Sequence, residues 1–113
     1  MSARSSTAAA LAAAVVFVGT IPPAAAQDVA AGRRKAIACQ ACHGLDGIAK
    51  LPDAPNLAAQ PASYLERELR AYRAGTRRNE VMAVAAKSLS DADIKDLSAY
   101  YSAIQIEVKA MPQ

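Results

Sequence analysis

The stretch IACQACHGLDG, residues 37–47, contains both cysteines and the single histidine of this 113-residue sequence. Cys39 and Cys42 are three residues apart, and His43 follows the second cysteine directly. Side chains three residues apart on a helical turn lie on the same side of it. The pattern therefore places two thiols together with an imidazole beside them, which suits a disulfide, thiol exchange, a metal or a covalently attached group.

The rest of the sequence separates these four kinds of site. A disulfide between Cys39 and Cys42 would close a very short loop and stabilise little. Thiol exchange at this spacing normally accompanies a βαβ unit, and the sequence has no strand-like alternation. A structural zinc ion normally takes four ligands, of which only three are present here. The order C-x-x-C-H is the attachment signal of c-type haem. It predicts one haem c per chain, bound through Cys39 and Cys42 with His43 as the proximal iron ligand, and leaves a thiol or metal site as the alternative.

A second axial iron ligand has few candidates. The sequence has no second histidine and no third cysteine, and beyond residue 26 its methionines are Met82 and Met111. Met111 follows the last predicted helix, in a segment that is expected to fray. A lone methionine is usually core filler, but the absence of another soft ligand favours Met82 as the distal ligand. Ligation by histidine and methionine raises the reduction potential of the iron.

Residues 1–26 are predicted to be a cleaved secretory signal peptide. A short polar start with Arg4 is followed by an apolar run over residues 8–21 and then by the small residues Ala24–Ala26. The apolar run is roughly 14 residues long, shorter than the ~20 that span a membrane, so a retained anchor is the weaker alternative. The sequence therefore predicts one domain over residues 27–113, located in the bacterial periplasm without stable membrane insertion.

The composition of this domain predicts a core that side chains alone do not fill. The sequence has no tryptophan, and its only phenylalanine, Phe17, lies in the signal peptide. Four tyrosines remain, and alanine is abundant. A chain of this size buries too little apolar surface to be very stable without a staple. A large apolar group other than a side chain is therefore expected in its centre.

The net charge of +3 is too small to indicate nucleic-acid binding. Basic residues nevertheless cluster at residues 33–35 and at Arg67, Arg70, Arg73, Arg77 and Arg78. A solvated helix face explains such a cluster most simply, and steering of acidic partners is the alternative.

Helical signals predict an all-α fold of three main helices joined by long loops. The first helix, residues 29–40, follows the cap residue Asp28; the second begins at Pro61 or Ser63 and ends at Gly75; the third is opened by a capping box at Ser90–Asp93 and extends to Ile104. Residues 43–61 and the stretch that contains Met82 are expected to be irregular. Gly32 lies inside the first helix, which suggests a close approach by another backbone.

With these residues placed, the sequence resembles class I cytochromes c, closest to the small periplasmic bacterial monohaem type related to the domains of dihaem cytochromes c. The resemblance is carried by CQACHG at 39–44, PNLAAQPASYLERELRAYRAGTR at 55–77 and VMAVAAKSLSDADIKDLSAYYSAI at 81–104. It implies the small cytochrome c fold, with the helices and loops wrapped around one haem.

The resemblance also implies roles for further residues. The carbonyl of Pro55 would accept the Nδ1–H of His43, and Leu57 and Leu69 would line the haem pocket. Gly32 would lie where the first and last helices cross, against Leu97 and Tyr100. Ala59 departs from the family pattern, which usually has glycine there.

A haem iron with both axial positions filled by protein has no place for a substrate, so we expect a periplasmic one-electron carrier without catalytic residues. Its partners would be redox proteins that donate and accept electrons, and it would be a monomer or a subunit of a redox complex. Two alternatives are a cytochrome subunit bound stably to a periplasmic dehydrogenase or oxidase, and a gas sensor or peroxidase whose distal ligand dissociates.

Overall fold

The structure, a computed structural model, describes residues 27–113. The predicted signal peptide lies outside the described residues. Within them the chain forms five helices and no strand: α1 (Val29–Ala36), α2 (Gln40–His43), α3 (Ala62–Ala74), α4 (Glu80–Ala86) and α5 (Asp91–Ala103). The all-α prediction is confirmed, and α1, α3 and α5 correspond to the three predicted helices. No helix in this part of the chain is both long and apolar enough to cross a membrane.

The predicted helix ends are present. Asp28 caps α1 by accepting a hydrogen bond from the backbone N–H of Ala31 at 2.9 Å. Gly75 ends α3 in the left-handed conformation, with a φ of 76°. Ser90 and Asp93 form the reciprocal capping box of α5, with bonds of 3.0 and 2.9 Å between side chain and backbone.

Two predictions about the helices are wrong. The first helix ends at Ala36 rather than near Gln40, and the chain turns before the single-turn helix α2. The stretch with Met82, predicted to be irregular, contains α4. The side chain of Asn79 caps this helix. Asparagine is a strong N-cap residue, and the alanine-rich segment that follows favours a helix.

The crossing of α1 and α5 accounts for the glycine in α1. Gly32 is buried, and a Cβ placed on it would collide with the backbone carbonyl of Asp96 and lie 2.7 Å from the Cβ of Tyr100. The predicted close approach is confirmed, with Asp96 and Tyr100 as the nearest residues. Only glycine lets the two helices approach this closely. The close packing of α1 against α5 offsets the cost of about 1 kcal/mol that a glycine has inside a helix.

The hydrophobic core lies where α1, α3 and α5 meet. Its buried cluster consists of Ala36, Leu65, Leu97 and Tyr101, and Leu57, Leu69 and Leu89 pack against it while remaining partly exposed. Within residues 27–113, Ile94 is the only larger apolar residue whose side chain is fully buried. The core is therefore small, as the composition predicts, and it is open on one side.

Candidate functional site

A cleft of about 860 Å³ opens beside this core and brings the predicted site residues together. Its lining includes all seven: Cys39, Cys42, His43, Pro55, Leu57, Leu69 and Met82. Pockets for small molecules and cofactors commonly measure roughly 300–1,000 Å³ and are mostly apolar. The apolar side chains that line it include six leucines, namely Leu51, Leu57, Leu65, Leu69, Leu89 and Leu97. The cleft is thus large enough for a cofactor, and residues far apart in the sequence meet in it.

The two cysteines and the histidine lie on one compact turn. The backbone N–H of His43 donates to the carbonyl of Cys39 at 3.0 Å, which closes the single turn of α2. Both cysteines are half-buried free thiols. Burial, with a smaller contribution from the neighbouring Cys42, raises the pKa of the Cys39 thiol. Both sulfur atoms are therefore held near the cleft without a disulfide between them.

The imidazole of His43 is buried and has a fixed orientation. It is 7 % exposed, and its Nδ1 lies 2.9 Å from the carbonyl oxygen of Pro55. Because a carbonyl oxygen can only accept, Nδ1 carries the proton in this bond, which leaves Nε2 as the ring nitrogen available to bind a metal. This is the arrangement in which a histidine binds a metal, since a hydrogen bond on the other nitrogen orients the ring and makes it more basic.

The loop after His43 is held by bonds that the sequence did not predict. The hydroxyl of Tyr100 donates to the carbonyl of Leu45 at 2.7 Å, and that of Tyr101 donates to the carbonyl of Gly44 at 3.2 Å. Burial raises the pKa of Tyr101, so its hydroxyl stays protonated and remains a donor. The last helix therefore fixes the backbone directly beyond the proposed iron ligand.

Met82 lies in the first turn of α4 and is half-buried. Val81 also borders the cleft but is 69 % exposed, and Val84 is 77 % exposed. Met111 lies outside the helices and is 76 % exposed. Of the two candidate methionines, only Met82 is at the cleft that contains His43; its role as an iron ligand stays a prediction.

Arg77, Tyr72 and Glu68 form contacts at the cleft that the sequence did not predict. Arg77 lies 4.7 Å above the ring of Tyr72 and 2.6 Å from a carboxylate oxygen of Glu68, and all three side chains line the cleft. Cation–π contacts of this kind are recognised only when the fold brings the aromatic ring and the cation together.

Four of the five arginines in the cluster of α3 and the following turn form ion pairs with carboxylates. Arg67 and Arg77 pair with Glu68, and Arg70 and Arg73 both pair with Asp91 at 2.7 and 2.6 Å. These ion pairs favour the interpretation of the cluster as a solvated helix face over steering of acidic partners.

The residues present fit a c-type haem. Two thiols, an oriented imidazole and a thioether sulfur line one apolar cleft, and no group of three or more histidine, cysteine or carboxylate side chains within residues 27–113 offers a separate metal site. The set combines covalent anchors with nitrogen and sulfur donors suited to iron.

Comparisons with known proteins agree with this chemistry. The cytochrome c family matches residues 29–104. Cytochrome c-554(548) of Halomonas halodenitrificans is 49% identical over 80 residues, which cover 68% of this chain and 96% of that protein. The thiosulfate dehydrogenase electron acceptor of Thiomonas intermedia is 40% identical over 101 residues, covering 88% of this chain and 46% of that protein.

A solved structure is also similar. Reduced recombinant cytochrome c4 from Pseudomonas stutzeri aligns with a TM-score of 0.66 at 36% sequence identity, over 71% of this chain and 47% of that one. The chain thus spans nearly the whole Halomonas protein and less than half of the Thiomonas and Pseudomonas proteins.

Proposed function

Because the chain belongs to the cytochrome c family, we propose that it carries single electrons through one covalently bound haem c. When bound, the haem supplies an iron that changes between the ferrous and ferric states. Family membership confirms the resemblance seen in the sequence and the haem attachment that its C-x-x-C-H motif predicts. The observation that supports electron transfer most directly is that Cys39, Cys42, His43 and Met82 line the same cleft.

In this proposal each residue has one role. Cys39 and Cys42 would hold the haem through thioether bonds, and Nε2 of His43 would bind its iron while the carbonyl of Pro55 orients the ring. Met82 would supply a second iron ligand through its sulfur. The leucines, Leu57 and Leu69 among them, would keep water from the cleft. With His43 and Met82 both bound to it, the iron would have no site for a substrate, and we expect no catalytic residue.

The axial role of Met82 is tested by Met82→Ala in the haem-loaded protein. The reduced wild type should bind carbon monoxide poorly because the methionine sulfur occupies the site, whereas the variant should bind it readily. Met111→Ala is the matched control, since that methionine is exposed and outside the helices. If Met82→Ala leaves the spectrum and carbon monoxide binding unchanged, Met82 is not the ligand. Ready binding by the wild type would favour a gas sensor or peroxidase.

The proposed place of action is the periplasm, with residues 1–26 removed on export. The support is the sequence pattern of a signal peptide with small residues before Gln27. N-terminal sequencing of the haem-containing protein from a periplasmic extract should begin at Gln27. A protein that retains the first residues and sediments with membranes would contradict both the cleavage and the location.

The relative named as a thiosulfate dehydrogenase electron acceptor gives specific support to one alternative, a subunit bound stably to a dehydrogenase or oxidase. Gel filtration of a periplasmic extract, with haem absorbance as the detection, distinguishes a free carrier from a stably bound subunit. A free carrier with transient redox partners elutes as a small monomer, whereas a subunit elutes with a larger protein.

A further inference from the structure

The side chain of Asn79 is bonded directly to the backbone of Met82. Its Oδ1 accepts a hydrogen bond from the Met82 N–H at 2.9 Å, and its backbone is extended, with φ −168° and ψ 120°. This is the geometry of an N-cap residue, whose side chain satisfies a free backbone donor in the first turn. The methionine proposed as the distal ligand is therefore the residue whose backbone the cap holds.

Helix α4 packs against α3 but is short and mostly exposed. It contains seven residues, and isolated helices shorter than about 12–15 residues are marginal in water. Ala86, at its end, is its only buried residue, while Val81 and Val84 are largely exposed. Apolar burial therefore fixes the far end of α4 better than the end with Met82, where the cap bond adds to the partial burial of Met82 itself.

We propose that Asn79 is a positioning residue for the distal ligand: its cap holds the first turn of α4 and so keeps the Met82 sulfur in place. The inference rests on the proposed axial role of Met82. A thioether is a soft ligand that binds reduced iron better than oxidised iron. In the ferric protein, an added nitrogen ligand should therefore compete with Met82, and the competition should become easier when the cap is lost.

The experiment is a titration of the ferric haem-loaded protein with imidazole, followed by difference spectra, for Asn79→Ser, Asn79→Gly and Asn79→Ala. Serine caps about as well as asparagine, glycine slightly less well, and alanine poorly. Imidazole should bind Asn79→Ala roughly fivefold to tenfold more tightly than wild type, given what a lost cap typically contributes. Asn79→Gly should lie between, and Asn79→Ser should resemble wild type.

Ser90→Ala is the matched control, because Ser90 caps α5 with the same kind of bond and α5 contains no proposed ligand. This variant should unfold more easily in urea while its imidazole affinity stays at the wild-type value. The proposal is overturned if the Asn79 variants do not follow the order of capping strength, or if Ser90→Ala shifts the affinity as much as Asn79→Ala. Should Asn79→Ala fail to fold, the glycine and serine variants still give the order.

A parallel imidazole titration of Met82→Ala distinguishes the axial role of Met82 from the positioning role of Asn79. If Met82→Ala binds imidazole no better than wild type, the axial role of Met82 is wrong and the role of Asn79 falls with it. If it binds tightly while the Asn79 series is flat, only the positioning role is wrong.

Discussion

Ala59 adopts a backbone conformation that alanine avoids. Its φ is 61°, in the left-handed region, and within residues 27–113 it is the only residue other than glycine with a positive φ. In this conformation the Ala59 N–H donates to the carbonyl of Tyr101 at 3.0 Å. The bond ties the loop that contains Leu57 to α5. The position at which the family resemblance leads us to expect glycine is therefore one whose backbone lies in the left-handed region.

We expect Ala59→Gly to stabilise the protein. Relief of the left-handed strain is worth roughly 1–2 kcal/mol, and the greater freedom of glycine in the unfolded chain offsets roughly 0.4–1 kcal/mol of it. The net gain should raise the midpoint of thermal unfolding by a few degrees, measured by circular dichroism. Ala58→Gly is the control: this neighbour is buried without a positive φ, so the same change should destabilise. A lower midpoint for Ala59→Gly would contradict the strain argument.

At the scale of single residues, local chemistry could be predicted and distant contacts could not. The spacing of Cys39, Cys42 and His43 indicates the anchors because covalent attachment depends on neighbouring positions. The bonds from Tyr100 and Tyr101 to the loop join residues 55 and 57 positions apart, and no local pattern encodes such a pairing. The bond between His43 and Pro55 was expected only from family resemblance.

At the scale of elements, α4 shows why a short helix escapes prediction. A helix is recognised by an apolar stripe that recurs with its period, and seven residues give the period little room to appear. No stripe of large apolar side chains marks one face of α4, because Val81 and Val84 are largely exposed and the residues of α4 at the cleft are Val81, Met82, Ala85 and Ala86. The longer helices α3 and α5 have both a stripe and clear caps, and their ends lie close to the predicted positions.

The crossing of α1 and α5 is also held by charge. The ammonium group of Lys35 lies 2.8 Å from Asp93 and 2.7 Å from Asp96, and Asp96 also accepts the backbone N–H of Asp28 at 3.0 Å. The hydrogen bond from Lys35 is the main reason that the pKa of Asp93 falls to about 2 and that of Asp96 is lowered. The same bonds raise the pKa of Lys35 above its ordinary 10.5.

These shifts predict the pH dependence of the free energy of unfolding. The carboxylates have lowered pKa values when folded, so their contribution is complete above the ordinary value of 3.8 and is lost as the pH falls toward about 2. The contribution of Lys35 is complete below 10.5 and is lost as the pH rises through its higher folded pKa. Urea unfolding of the haem-loaded protein between pH 2 and 7 should show the acid loss.

Lys35→Met should be less stable at neutral pH and should lose less stability on acidification, because the carboxylates then titrate nearer their ordinary pKa. Lys87→Met is the matched control, as that lysine is exposed and has no ion pair within residues 27–113. Equal acid curves for wild type and Lys35→Met would show that these pairs do not link α1 to α5.

At the scale of the whole molecule, the core and the haem site are the same region. Leu65, Leu97 and Tyr101 belong to the buried cluster, and the same three side chains line the cleft. The composition indicated a missing apolar group because a small alanine-rich chain has too few large side chains to fill its centre. What composition could not indicate is the position of the gap, which depends on how α3, α4 and α5 meet.

Because the core and the haem site are the same region, we expect the fold to depend on the haem. Cys39→Ser together with Cys42→Ser removes the covalent anchors, and without the haem the leucines of the cleft would face water. Because so few large side chains are fully buried elsewhere, we expect this variant to lose cooperative thermal unfolding and to bind a hydrophobic dye, as proteins do when folding and cofactor binding are coupled. Met82→Ala, which keeps both thioethers, is the control and should still unfold cooperatively. A sharp, native-like unfolding transition of the cysteine-free protein by circular dichroism would show that the helices pack stably without the haem.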